Sequence, residues 1–232
     1  MWYNDASITI FGGLAVKNIS AAYMEIPRDA ESLGFIHSEL VLARCPLFYE
    51  GRNEKREAES LSGYYLLLRL LKADGKTDFI EFVTKDYFGR PCFRNYPWLD
   101  FNISHASGIA VCALGTGRRV GIDTEALPIM AGKDMIAEKF FSRREKREYA
   151  AGGGTDEAFA TVWTRKEAYG KYTGKGLDEY EPTEKDLAEF SFVTKKLLTY
   201  GKNYIVTLCS KTEEGEEDGV FQFFERIEVA PK

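Results

Sequence analysis

Histidine and cysteine are scarce in this chain. It has two histidines, His37 and His105, and four cysteines, Cys45, Cys92, Cys112 and Cys209, none of them in a Cys-x-x-Cys pair. A structural zinc site, which needs such ligands at close spacing, is therefore not expected. Four scattered thiols are expected to stay reduced, in or near the core of a cytoplasmic protein. Long apolar runs are missing too. No stretch approaches the roughly 20 residues of a membrane span. No basic segment precedes the early apolar run, and Gly12-Gly13 interrupts it, so neither a signal peptide nor membrane attachment is expected. Base is outnumbered by acid, giving a formal net charge of -5, which argues against nucleic acid as a partner.

What remains is ordinary globular material. The chain has 232 residues, 44% hydrophobic and 29% charged, enough for one large domain or two small ones. Strand-like runs at Ser7–Phe11 and Ala21–Ile26 are followed by a helix that begins near Asn53 or Glu54 and buries Ser60–Leu71. Phe79–Thr84 reads as a strand, and Asp86-Tyr87-Phe88-Gly89-Arg90-Pro91 as a turn. Strand patterns return at Phe101–His105, Ile109–Leu114 and Val120–Glu125. Helices are expected over Lys133–Phe141, from the Ser142 cap with Glu145 three residues on, and over Asp156–Tyr172. Strands at Phe190–Thr194, Tyr204–Cys209 and Val220–Val229 complete the pattern, with a solvated acidic loop at Glu213–Asp218. The class is α+β, divided into an N-terminal half over 1–100 and a C-terminal half over 101–232.

Two acidic clusters lie about forty residues apart. In Gly121-Ile122-Asp123-Thr124-Glu125, strand alternation turns Asp123 and Glu125 to one face. Adjacent carboxylates repel and need a compensating cation; magnesium, with its preference for oxygen ligands and substrate phosphates, suits that role. In Trp163-Thr164-Arg165-Lys166-Glu167-Ala168-Tyr169-Gly170-Lys171, Glu167 and Lys171 share a helical face. As a surface ion pair they would be worth only about 0.3–0.5 kcal/mol. Beside the carboxylates, Glu167 offers a third acid and Lys171 a mobile charge for phosphate. Gly174-Lys175-Gly176 follows the helix, so it is not a nucleotide-hydrolase phosphate loop, which precedes one. Arg90 offers a turn guanidinium, and Ser104-His105 a polar strand end. Lys133, Lys139, Arg143, Arg144, Lys146 and Arg147 oppose the sign of the whole chain and form a docking face for an acidic partner.

Taken in order, Gly89-Arg90-Pro91, Phe101-Asn102-Ile103-Ser104-His105, Gly121-Ile122-Asp123-Thr124-Glu125, Phe140-Phe141-Ser142 through Glu145, and Trp163 through Leu177 resemble the 4'-phosphopantetheinyl transferases of the Sfp type. The resemblance covers roughly residues 87–180. It implies two similar α+β halves in a pseudo-twofold pair with the active site between them. It implies an enzyme that moves the phosphopantetheine arm of coenzyme A onto a serine of an apo acyl, peptidyl or polyketide carrier protein, releasing adenosine 3',5'-bisphosphate, as a monomer. It assigns Asp123, Glu125 and Glu167 to magnesium. Asp123, Glu167 and Lys171 become catalytic, with Glu167 also the candidate base and Lys171 a phosphate contact. His105 falls near the 3'-phosphate, Arg90 near the adenine, and Ser104, Lys175 and Arg56 join the coenzyme A contacts. Ala106 departs from the family's Ser or Thr, with Ser107 as a substitute, and neither Lys17 nor Arg28 is a strong 3'-phosphate ligand. The rival readings are a magnesium-dependent nucleotide phosphohydrolase and a non-catalytic binder of coenzyme A or carrier proteins.

Overall fold

The computed structural model describes residues 19–46, 53–129, 131–176, 188–199, 201–212 and 224–229. The strand expected at Ser7–Phe11, Lys17, the acidic loop and the start of the last expected strand lie outside them.

Strand β1 (Ile19–Glu25) leads into helix α1 (Ala30–Leu42), whose first turn is capped by the Asp29 carboxylate on Ser32 N–H. Sequence patterning did not register α1. Helix α2 (Glu54–Ala73) starts at the expected Asn53 cap and buries its leucine-rich run. After Gly75 the chain turns back on α2, with Lys76 N–H bonded to Leu71 O. The segment read as a strand at Phe79–Thr84 then forms a 3-10 turn over Thr77–Phe82, and only β2 (Val83–Lys85) is extended. Phe79 and Phe82 pack edge-on against Tyr96, a cluster that rewards curling rather than alternation. Strand β3 (Pro91–Phe93) pairs with β2.

The next three strands are β4 (Leu99–Ala106), β5 (Ile109–Thr116) and β6 (Gly121–Leu127). Helices α3 (Lys133–Phe140), α4 (Arg143–Ala151) and α5 (Asp156–Thr173) follow, with the capping box at Ser142 and Glu145 in place. Strands β7 (Phe190–Thr199), β8 (Lys202–Lys211) and β9 (Phe224–Arg226) end the described chain. The fold is α+β.

One sheet has the order β4-β5-β1-β9 and another the order β6-β8-β7. The segments β1-α2-β4-β5 and β6-α5-β7-β8 share a connectivity: strand, helix, then a hairpin whose second strand takes the middle of an antiparallel trio. The expected division at residue 100 falls inside β4, which pairs with β5 and so belongs to the first trio.

Strand alternation sorts the core into layers. Leu99, Phe101, Ala110, Cys112 and Leu114 pack with the α2 leucines. Ile109, Val111, Ala113, Ile122, Val206 and Leu208 fill the space between the two sheets. Beyond the second sheet, Ala168 and Tyr169 of α5 pack on Cys209. Among the described residues, no helix is long and apolar enough to cross a membrane.

Candidate active site

The site begins with a close contact between backbones. A Cβ at Gly121 would lie 2.1 Å from Ala168 O and 2.7 Å from Tyr172 N. Glycine lets α5 lie directly on β6. On the far side of that helix turn, Gly170 faces the Gly176 backbone, and Gly174, at φ +77°, closes the helix. Glu167 and Lys171, one turn apart on α5, are thereby held over Asp123 and Glu125, two residues apart on β6.

Lys171 Nζ donates to Asp123 Oδ1 at 2.6 Å and to Ser104 Oγ at 2.8 Å. Ser104 Oγ donates to the same Asp123 oxygen at 2.9 Å. Three elements, β4, β6 and α5, therefore meet in one triangle. Asp123 is buried, and its second oxygen, Oδ2, has no hydrogen-bond partner. Burial first, then the charges of Asp123 and Glu167, push the Glu125 carboxyl up to about 7, with the Lys171 charge and then a Trp163 side-chain hydrogen bond as partial counterweights. Burial and the Asp123 charge raise Glu167 as well. The Asp123 charge thus disfavours ionisation of both glutamates, and the Glu167 charge disfavours that of Glu125. Among the described residues, no three acid, imidazole or thiol groups are drawn in to metal-ligand spacing. The donor set is nonetheless of the hard-oxygen kind that suits a divalent cation, and the orphaned Asp123 oxygen is a buried acceptor that such an ion would satisfy.

The Arg90 side chain turns into the protein. Its guanidinium is buried and all five N–H groups are taken by protein acceptors. Nε donates to Lys171 O, Nη1 to Asp100 Oδ1 and Pro91 O, and Nη2 to Asp100 Oδ2 and Val120 O. Asp100 turns the guanidinium inward. His105, on the opposite face of β4 from Ser104, turns to α2, with Nδ1 3.6 Å from Glu59 Oε2. Lys175 is exposed just past the α5 cap, its N–H on Thr173 Oγ1. Arg56 is exposed in the first turn of α2, its N–H on Asn53 Oδ1. Of the expected site residues, Asp123, Glu125, Glu167, Lys171 and Ser104 come together, while His105, Lys175 and Arg56 stand on other surfaces.

The sequence reading missed Asp100 and Asn102. Asp100 Oδ2 accepts from Val120 N–H, and Asn102 Oδ1 from Ile122 N–H, both at 2.9 Å. With Ser104 they line one face of β4 and stitch it to β6 by side chains rather than by a strand ladder. Polar residues at every second position of a buried strand were the available signal.

A profile of the 4'-phosphopantetheinyl transferase superfamily matches residues 119–217. The 4'-phosphopantetheinyl transferase Sfp of Bacillus subtilis (strain 168) is 30% identical over 167 residues, which span 68% of this chain and 71% of that protein. The chain belongs to the Sfp-type 4'-phosphopantetheinyl transferases. The ffp transferase of Bacillus subtilis is 31% identical over 169 residues, and the gsp transferase of Aneurinibacillus migulanus 29% identical over 167 residues. In both cases 68% of this chain is covered, with 71% and 67% of the relatives respectively. In this Sfp-type transferase, the matched profile begins just before β6 and takes in all of α5, the two elements that carry Asp123, Glu125, Glu167 and Lys171.

Proposed function

We propose that this protein transfers the 4'-phosphopantetheine arm of coenzyme A to a serine of an apo acyl, peptidyl or polyketide carrier protein and releases adenosine 3',5'-bisphosphate. The observation that carries the reading is the Lys171–Asp123–Ser104 triangle beside two carboxyl groups of raised pKa. Asp123, Glu125 and Glu167 would hold magnesium. Bound there, the cation would neutralise charge on the pyrophosphate and align the transferring phosphoryl group.

The chain's own groups do the rest. An ammonium has three N–H bonds; two from Lys171 go to Asp123 and Ser104, and the third is assigned to a phosphate oxygen of coenzyme A, where it stabilises developing charge. Glu167 is also assigned as the acceptor of the attacking serine's proton, directly or through water. The serine oxygen bonds to the β-phosphorus as the pyrophosphate P–O bond breaks, and the bisphosphate carries away the electron pair.

We read the two matching strand-helix-hairpin segments as a pseudo-twofold pair joined at 117–120, past β5 rather than at residue 100, with the site at their meeting. His105 is assigned to the nucleotide's outer phosphate, and Lys175 and Arg56 to further coenzyme A contacts. The exposed residues Arg143, Arg144 and Arg147 of α4 are assigned to an acidic carrier. The protein is read as a cytoplasmic monomer. Its four cysteines are thiols rather than disulfides, which supports a reducing compartment.

The test is mass spectrometry of an apo carrier after incubation with coenzyme A, magnesium and the protein. The carrier gains the mass of the phosphopantetheine arm. Glu167→Ala, Asp123→Ala and Lys171→Ala keep the wild-type circular dichroism and lose at least about a hundredfold in rate. Bisphosphate release without a carrier would instead favour the hydrolase.

A further inference from the structure

Arg90 is the most heavily bonded side chain near the site, and the reaction as described above gives it nothing to do. It lies in the turn between β2 and β3, yet its partners come from three other places. Asp100 is on β4, Val120 precedes β6, and Lys171 O belongs to the last turn of α5. The Arg90–Asp100 pair is bidentate, 2.7 Å at each oxygen, and both side chains are nearly fully covered. Asp100 adds the Val120 N–H, so the pair grips both the N–H and the C=O of the residue that launches β6.

We propose that the Arg90–Asp100 pair is a positioning clamp that fixes α5 on β6, and so sets the Lys171 ammonium against Asp123 and Ser104. This rests on the arm-transfer reading and deepens it. The clamp holds Lys171 by its backbone carbonyl while the same residue's Nζ reaches Asp123 and Ser104. It holds β6 three residues before Asp123. The glycine contact lets the helix approach the strand, but a glycine contact has no directional bond to stop sliding. The guanidinium supplies the direction, because its planar fork fixes several acceptors at once. A lysine at 90 would retain the charge and lose the fork.

The clamp separates two roles that a basic residue in this turn could have. A nucleotide contact would be lost as affinity; a clamp is lost as rate, because a misplacement of about 1 Å near the reacting atoms costs about a hundredfold. Arg90→Lys and Asp100→Asn are compared with wild type by three measurements. Calorimetry gives the affinity for adenosine 3',5'-bisphosphate. Single-turnover kinetics with coenzyme A and apo carrier give the transfer rate. Hydrogen exchange reads the backbone over 118–124 and 166–174. The clamp predicts bisphosphate affinity within about twofold of wild type, a transfer rate down by about tenfold to a hundredfold, and faster exchange in both segments.

Bisphosphate affinity lowered tenfold or more in Arg90→Lys makes Arg90 a nucleotide contact and overturns the proposal. A wild-type rate or unchanged exchange overturns it too. Should the single variants fail to fold, Arg90→Met with Asp100→Leu removes the buried pair without stranding either charge, and the same three criteria apply. If the wild-type protein transfers no arm at all, the arm-transfer reading falls alone. Exchange at 118–124 and 166–174 then still judges the clamp, faster exchange supporting it and unchanged exchange overturning it.

Discussion

Glu125 is a carboxyl group surrounded by reasons not to ionise: burial, Asp123 and Glu167. Its pKa is raised from 4.5 to about 7 in the fold. The native state therefore binds more protons than the unfolded chain between those values. The stability this group contributes is complete below pH 4.5 and is lost as pH rises through about 7. Glu167 acts in the same direction. Glu125→Gln removes the charge and keeps the shape. Its melting temperature exceeds that of wild type at pH 8 without magnesium and matches it near pH 4. The gain in melting temperature on adding magnesium at pH 8 shrinks in the variant. A variant that melted below wild type at pH 8 would remove Glu125 from the crowded set. The acids and Lys171 were legible in the sequence because spacing alone fixes their faces. The inward turn of Arg90 was not, because its partner Asp100 lies ten residues on, beyond β3 and the turn that follows it, and no local period links them.

At the scale of elements, Gly121 is the position on which the β6–α5 contact depends. Gly121→Val would drive a branched side chain into the Ala168 carbonyl and the Tyr172 N–H. Overpacking of that kind costs about 1–3 kcal/mol. Denaturant melts measure the loss. Arm transfer falls further than stability alone explains, because Lys171 is carried away from Asp123 with the helix. A variant as stable and active as wild type would show that the strand and helix can separate without harm. Helices α2, α4 and α5 were readable from caps and apolar period, Ser142 with Glu145 above all. Helix α1 was readable in principle, since Asp29 caps it and Leu33, Ile36 and Leu40 recur at helical spacing. Pro27-Arg28-Asp29 ends the strand run, and the same aspartate starts the helix. The 3-10 turn at 77–82 was misjudged because aromatic packing against Tyr96, not local alternation, decides it.

At the scale of the whole molecule, net negative charge coexists with a basic patch. Lys133 and Lys146 are already paired with Asp156 and Glu138, and Lys139 lies over the Phe140 ring. The exposed arginines of α4 are left to face a partner. Arg143→Glu with Arg144→Glu raises the KM for an acidic carrier by about tenfold at low salt, with the KM for coenzyme A unchanged, and the difference narrows at high ionic strength. Equal carrier kinetics at low salt would rule this face out. The arrangement of the two strand trios was beyond the sequence, because their shared connectivity is carried by unlike residues. The way they are joined has its own logic. Asp100, Asn102 and Ser104 each hold a different part of 120–123, and all three depend on one phase of β4. Deleting a single residue ahead of them would aim all three side chains at the leucines of α2 at once. A joint spelled out in side chains tolerates no slippage, and it comes apart as a unit.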